Sequence, residues 1–382
     1  MDSTSTMRTE ATSQNSMAND HPPSDRVIAR GRPSNGHHVN SRMSAKSSST
    51  SANDANAKAE NVLGDLYGPI TQSLGDIEKR LNEQLQSPYE ALVPLLRHGT
   101  QLGGKRLRPA MLLLSASAVG SINDTHLVLG TVIEMVHTAT LIHDDVLDNA
   151  STRRHVPTIN ALHDNHTSIL LGDFLFAQAF RLTATLDDIA ACRWIGDAAK
   201  NVCVGELRQV LDRNMIDLDE ETYLDILRGK TAELCCVACR LGAKHAGGSD
   251  EVVEALAKYG DAIGIAFQIA DDYLDLWGDD ATVGKTLGTD LEQGKMTLPL
   301  IRLLETANEH DRDEIVSIIT GPSEDRVADI RPWLDSSDAR EYTAATAKRF
   351  QAISIDALNV LNDSSAKECL QAIAKFAVDR RF

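Results

Sequence analysis

The sequence predicts an all-α fold, and three observations carry that prediction. Apolar residues recur at helical spacing almost without interruption from about Ala57 to Phe382. No run alternates well enough to be a strand. The apolar fraction of 42% rests on Leu, Ala and Ile, with aromatics at only 4%, a balance that suits helix-on-helix packing better than a β-sandwich. A chain of 382 residues buries ample core for one large domain. Helices are expected at 59–85, 88–98, 108–120, 124–148, 158–164, 167–185, 187–213, 220–244, 250–278, 295–307, 311–319, 323–335, 337–361 and 364–380. Their breaks fall at Ser87-Pro88, Gly103-Gly104, Gly247-Gly248 and Gly321-Pro322.

Residues 1–57 are rich in Ser, Thr and Asn and poor in bulky apolar side chains. They cannot offset their ordering entropy by burial, so a disordered tail is expected there, with one domain over 58–382. A transit peptide should be acid-poor, and Asp2, Glu10, Asp20 and Asp25 spoil that pattern. Met17 and Met43 are alternative starts, and the tail is assigned no function.

Lys+Arg 38 against Asp+Glu 55 leaves a net charge of −17, which argues against a nucleic-acid partner. Cys192, Cys203, Cys235, Cys236, Cys239 and Cys369 fall in helical segments without framework spacing. They read as small buried core thiols in a reducing cytoplasm, Cys236-x-x-Cys239 included, since no second Cys/His pair lies near. No apolar run reaches the ~18 residues of a membrane span, so stable insertion is not expected.

Chemistry concentrates in two echoing stretches, Asp144-Asp145-x-x-Asp148 and Asp271-Asp272-x-x-Asp275. Spacings of three and four put each set of carboxylates on one helix face. A lone copy would read as a solvated acidic helix end. Two copies inside apolar helices would repel strongly unless a cation sits among them. Mg²⁺, which takes one or two carboxylates together with substrate phosphates, suits that need. The loop Gly103-Gly104-Lys105-Arg106-Leu107-Arg108-Pro109 opens a helix and offers three cations beside free amides, an anion site or else a solvated basic turn. Arg153-Arg154 could clamp phosphate or form surface ion pairs. Lys230-Thr231, Lys285 and Lys295 add cations that could close over the same cleft.

In these motifs, their order and their spacing over residues ~60–382, the chain resembles the trans-isoprenyl (polyprenyl) diphosphate synthases, most closely the long-chain ones. Further matching pieces are Leu171-Gly172-Asp173-Phe174, Gly205-Glu206-x-x-Gln209, Phe267-Gln268, Gly284-Lys285 and Gly294-Lys295-x-Thr297-Leu298-Pro299. The resemblance implies the isoprenoid synthase fold, helices bundled around a central cavity, and a head-to-tail condensation by a homodimer. It implies that Asp144, Asp145, Asp148, Asp271, Asp272 and Asp275 hold up to three Mg²⁺. Arg153, Lys230, Thr231, Gln268, Lys285 and Lys295 would complete the allylic diphosphate site, with Lys230 and Lys285 counted as catalytic. Lys105, Arg108, His137 and Arg154 would bind isopentenyl diphosphate. His137, two turns before Asp144, would otherwise pass for a hydrogen-bonded core histidine.

Family members with short products commonly place an aromatic one turn before the first aspartate motif. Here Ala139 and Thr140 stand there, so that floor is open and products beyond C20 are expected, with a deeper stop at Thr183, Trp194 or Ile195. Geranylgeranyl or farnesyl diphosphate synthase is the alternative, and a non-catalytic subunit of a heteromeric synthase a further one. A class I terpene cyclase is disfavoured by the scarcity of aromatics.

Overall fold

The computed structural model describes residues 66–101, 104–154, 156–278, 287–322 and 325–379; the expected tail and Lys285 lie outside them. Sixteen α-helices are assigned among the described residues. The first four are α1 (Thr71–Gln84), α2 (Leu92–Gln101), α3 (Leu107–Val119) and α4 (Asp124–Leu147). Next come α5 (Ile159–Leu162), α6 (Asn165–Thr183), α7 (Ile189–Leu211) and α8 (Glu220–Leu227). α9 (Glu233–His245) and α10 (Asp250–Trp277) precede α11 (Thr289–Glu292), α12 (Leu298–Thr306), α13 (Glu309–Thr320) and α14 (Arg326–Ser336). α15 (Ala339–Ala357) and α16 (Ser365–Asp379) close the series.

Two long helices organise the rest. α4 is apolar nearly all round and packs against α1, α3, α6 and α9. α10 packs against α9 and α15. Burying such faces is what stabilises them, because isolated helices are marginal in water. Their starts are specified locally. At α4 the Asn123 side chain accepts the His126 N–H at 3.3 Å, while His126 Nδ1 accepts the Asn123 N–H at 3.0 Å, a reciprocal cap. At α10 Ser249 caps Val252. α4 and α10 both end in the aspartate motifs, so the core itself aims the acids.

Three sequence expectations need correction. The helix expected over 220–244 is interrupted: Glu233 N–H bonds to Arg228 O, five residues back, so Arg228–Ala232 forms a π-turn between α8 and α9. Such turns recur at functional sites, and this one carries Lys230 and Thr231. Short strands do occur: β1 (Thr152–Arg153) pairs antiparallel with β2 (Val156–Pro157). The cysteines divide, with Cys235 and Cys239 buried, Cys192, Cys236 and Cys369 partly so, and Cys203 exposed on α7. Burial pushes the Cys236 thiol up to about 12. No unbroken apolar run spans 18 residues, yet two helices are long and apolar enough to cross a membrane, Asp124–Leu147 and Asn165–Leu186. The first is largely buried inside the protein; about a third of the second is buried.

Candidate active site

At the end of α4, Asn149 takes a left-handed conformation (φ 50°) and turns the chain into the β1–β2 hairpin. Thr158 Oγ1 donates to Ala150 O at 2.7 Å and Asn160 Nδ2 to the same oxygen at 3.0 Å, which folds the hairpin back on the helix. Arg153 thereby returns over the first acid cluster. Its Nε and Nη2 lie 2.9 and 2.8 Å from Asp145 Oδ1, and Nη2 lies 3.7 Å from Asp144. The other Asp145 oxygen, Oδ2, is buried without a hydrogen-bond partner.

At the end of α10, Asp272 is buried and accepts from Tyr223 Oη at 2.7 Å and from Gln268 Nε2 at 2.9 Å. Gln268 is oriented in turn by Thr231, whose hydroxyl donates to Gln268 Oε1 at 3.1 Å. Asp275 is also buried and accepts from Thr289 Oγ1 at 3.0 Å and from the Asp290 N–H at 3.2 Å. Asp271 is partly buried.

Two lysines reach into the acid clusters. Lys230 reaches Glu206 and Gln209 at 2.8 Å each and Asp144 at 3.6 Å. It can do so because Gly205 on α7 sits against the π-turn: a Cβ there would lie 2.6 Å from Lys230 N, closer than any side chain tolerates. Lys295 lies 3.2 Å from Asp290 and 3.7 Å from Asp148, spanning from the second cluster to the first.

The electrostatics follow from this crowding. Burial, with help from neighbouring carboxylates, pushes Asp145 and Asp148 above the usual carboxylate range despite Arg153 and Lys295. Asp272 is pushed up to about 7 by burial and by the Asp290 charge. Burial opposes the Lys230 charge, but Asp144 and Glu206 outweigh it and hold the ammonium above its ordinary value.

A second basic group lies beside the first. Arg108 Nη1 is 3.1 Å from His137 Nε2; a guanidinium only donates, so that imidazole nitrogen accepts. Burial, then Arg108 and Arg154, drive the His137 pKa well down, and the ring stays neutral. Gly104 is flush with the Arg154 guanidinium, and the Lys105 ammonium sits 5.8 Å from the Phe376 ring centre. Arg106, expected among the anion-binding cations, instead turns inward to Glu78 and Glu134.

Residues without a predicted role also belong here. Glu206 and Gln209, three apart on α7, hold Lys230, and that spacing alone was a usable signal. Asp290 and Tyr223 are brought to Asp272 and Asp275 from other elements, and nothing local in the sequence marks them. Of the chain-length positions, Thr140 is half-buried in line with His137 and Asp144, while Ala139 is fully buried. Thr183 and Ile195 are buried, whereas Trp194 is only partly covered and lies beneath Arg240 and Lys244.

The donor set suits a hard divalent cation: all oxygen, no thiolate, and one buried carboxylate oxygen without a partner. Among the described residues no three such ligands converge on a preassembled point.

The profile of the polyprenyl synthetase family matches residues 89–335. The chain belongs to the polyprenyl synthetase family. It is 35% identical over 317 residues to an all-trans-nonaprenyl-diphosphate synthase (geranyl-diphosphate specific) of Rhodobacter capsulatus, covering 83% of this chain and 97% of that one. It is also 35% identical, over 79% of this chain and 95% of the relative, to a short chain isoprenyl diphosphate synthase of Methanothermobacter thermautotrophicus. Its fold matches a polyprenyl synthase from Caulobacter crescentus, crystallised with calcium and isoprenyl diphosphate, at a TM-score of 0.78 and 32% identity, over 84% and 98% of the two chains. This polyprenyl synthetase is therefore a prenyltransferase with the isoprenoid synthase fold.

Proposed function

We propose that the enzyme condenses isopentenyl diphosphate head-to-tail with an allylic prenyl diphosphate, in a Mg²⁺-dependent reaction, and extends the product beyond C20. The observation that carries this reading is the pairing of two aspartate-rich helix ends across Lys295, with Lys230 on the first of them and a separate basic pocket beside them. Asp144, Asp145, Asp148, Asp271, Asp272 and Asp275 would hold Mg²⁺, up to three ions, whose chemistry is to stabilise charge on the departing diphosphate. Arg153, Lys230, Thr231, Gln268 and Lys295 orient the allylic diphosphate and stabilise it as the carbon–oxygen bond breaks. Lys285 is assigned the same role on its motif alone. Lys105, Arg108, His137 and Arg154 hold isopentenyl diphosphate so that its double bond meets the allylic carbon. A neutral His137 offers that diphosphate a donor without adding another buried charge.

The test is incubation with labelled isopentenyl diphosphate, farnesyl or geranylgeranyl diphosphate and Mg²⁺, followed by chromatography of the dephosphorylated product. Chains longer than C20, lost on chelation with EDTA, are expected. Products that stop at C15 or C20 would return the enzyme to the farnesyl or geranylgeranyl type, and absence of any product would leave a non-catalytic subunit.

A homodimer belongs to the same reading. Ile169 and Phe180 lie eleven residues apart on one face of α6, and Val204, Leu207 and Leu211 form a stripe on α7; all are exposed. Apolar side chains grouped in this way mark an interaction surface. Sedimentation equilibrium should return twice the chain mass of 41.5 kDa, and Leu207→Glu should shift it toward the monomer.

A further inference from the structure

Arg106 stands between Lys105 and Arg108, two residues given to isopentenyl diphosphate, yet its side chain leaves their company. Its backbone is left-handed (φ 51°), a region that a residue with a long side chain enters only when its surroundings hold it there. The guanidinium turns into the protein. Nη1 donates to Glu134 Oε1 at 2.6 Å, Nε and Nη2 donate to the two Glu78 oxygens, and Nη2 reaches the Thr100 carbonyl at 3.4 Å. Glu134 is 1% exposed and lies on α4 one turn before His137.

An ion pair this deep is a poor source of stability, because well-packed apolar side chains would serve as well. What it does supply is direction. A bidentate guanidinium has one acceptable orientation, and here it sets the loop's rotation against α4. The rest of the pocket is built from the same loop. Gly104 comes flush with the Arg154 guanidinium, where a Cβ would overlap it. The Lys105 carbonyl accepts from Tyr67 Oη at 3.0 Å. Arg108 arrives at His137. Arg108, His137 and Arg154 are thus gathered around the loop that Arg106 ties to α4.

We propose that Arg106 and Glu134 are positioning residues for isopentenyl diphosphate: they touch no substrate but lock the basic loop to α4 so that Lys105, Arg108, His137 and Arg154 form one pocket. This rests on the reading of that pocket as the isopentenyl diphosphate site. Steady-state kinetics of Glu134→Gln and Arg106→Lys, varying each substrate in turn, tests it. The KM for isopentenyl diphosphate should rise about tenfold or more, while kcat and the allylic KM stay within about twofold. Equal rises in both KM values, or none, overturn the inference. Lys105→Ala is measured alongside. If it leaves the isopentenyl KM unchanged, the pocket reading fails and the inference falls with it. If it raises that KM while Glu134→Gln and Arg106→Lys are silent, the inference alone is overturned. Should Glu134→Gln not accumulate as folded protein, Glu78→Gln, at the half-exposed end of the network, should give the same split in smaller degree; no split there overturns the inference too.

Discussion

Asp272→Asn is expected to slow turnover about a thousandfold at saturating Mg²⁺, the ~4 kcal/mol of transition-state stabilisation that a lost metal contact can represent. The same change should make the metal-free protein more stable at pH 8. Asp272 is buried near Asp290, and its pKa in the fold is about 7 against an ordinary 3.8. The folded state therefore keeps a proton that the unfolded chain gives up, and stability falls as pH rises from about 4 through 7. At 1.36 kcal/mol per unit the cost above that window is on the order of 4 kcal/mol. Asparagine removes it at little expense in hydrogen bonding. Its oxygen can still accept from Gln268, and its amide can donate to Tyr223 once that hydroxyl rotates. Melting curves should show Asp272→Asn above the parent at pH 8 and level with it near pH 4. Mg²⁺ with a diphosphate should raise the parent's melting temperature and leave that of the variant nearly unmoved. A variant that turns over like the parent would remove the second acid cluster from the reaction.

The parts of this site that were legible in the sequence are those a single helix determines. Asp144, Asp145 and Asp148 share a face because of their spacing, and so do Asp271, Asp272 and Asp275; apolar patterning says that both helices are core. What was not legible depends on contacts between distant segments. Lys105, Arg106 and Arg108 look alike as cations, and it takes Glu78 and Glu134, each 28 residues from Arg106, to turn one of them inward. The π-turn at Arg228–Ala232 keeps the helical composition of its neighbours, so periodicity runs straight through it; the close approach of Gly205 is what the turn accommodates. The hairpin after α4 is too short for alternation to register. Trp194, one of the three deep positions, packs against the same core cluster as Ala139 and Ile195 and carries Arg240 and Lys244 over its ring, a double contact that residue type alone does not announce.

Product length should change most at α4. The half-buried residues His137, Thr140, Leu141, Asp144 and Asp148 form its open side, and Thr140 is the position one turn behind Asp144. One turn advances ~5.4 Å, about one isoprene unit, so a ring there meets a growing tail early. Thr140→Phe should cut the product from beyond C20 to C20 or shorter while initial turnover persists. Ala139→Phe makes a sharper comparison. Ala139 is fully buried in the core cluster that also holds Leu171, Leu175 and Ile195, so a phenylalanine there either projects into tail space or overpacks the α4–α6 contact. Overpacking costs typically ~1–3 kcal/mol and would lower the melting temperature with chain length unchanged. Projection into tail space would shorten the product and leave the melting temperature close to the parent's. Trp194→Ala tests one of the deeper positions, since that ring packs on the same core cluster as Ala139 and Ile195; a longer product would make it a wall of the tail space. Radiolabelled products of the parental length from both Thr140→Phe and Ala139→Phe would move the length-setting floor away from α4 altogether, and Ile195, buried in the same cluster as Ala139, would be the next wall to cut.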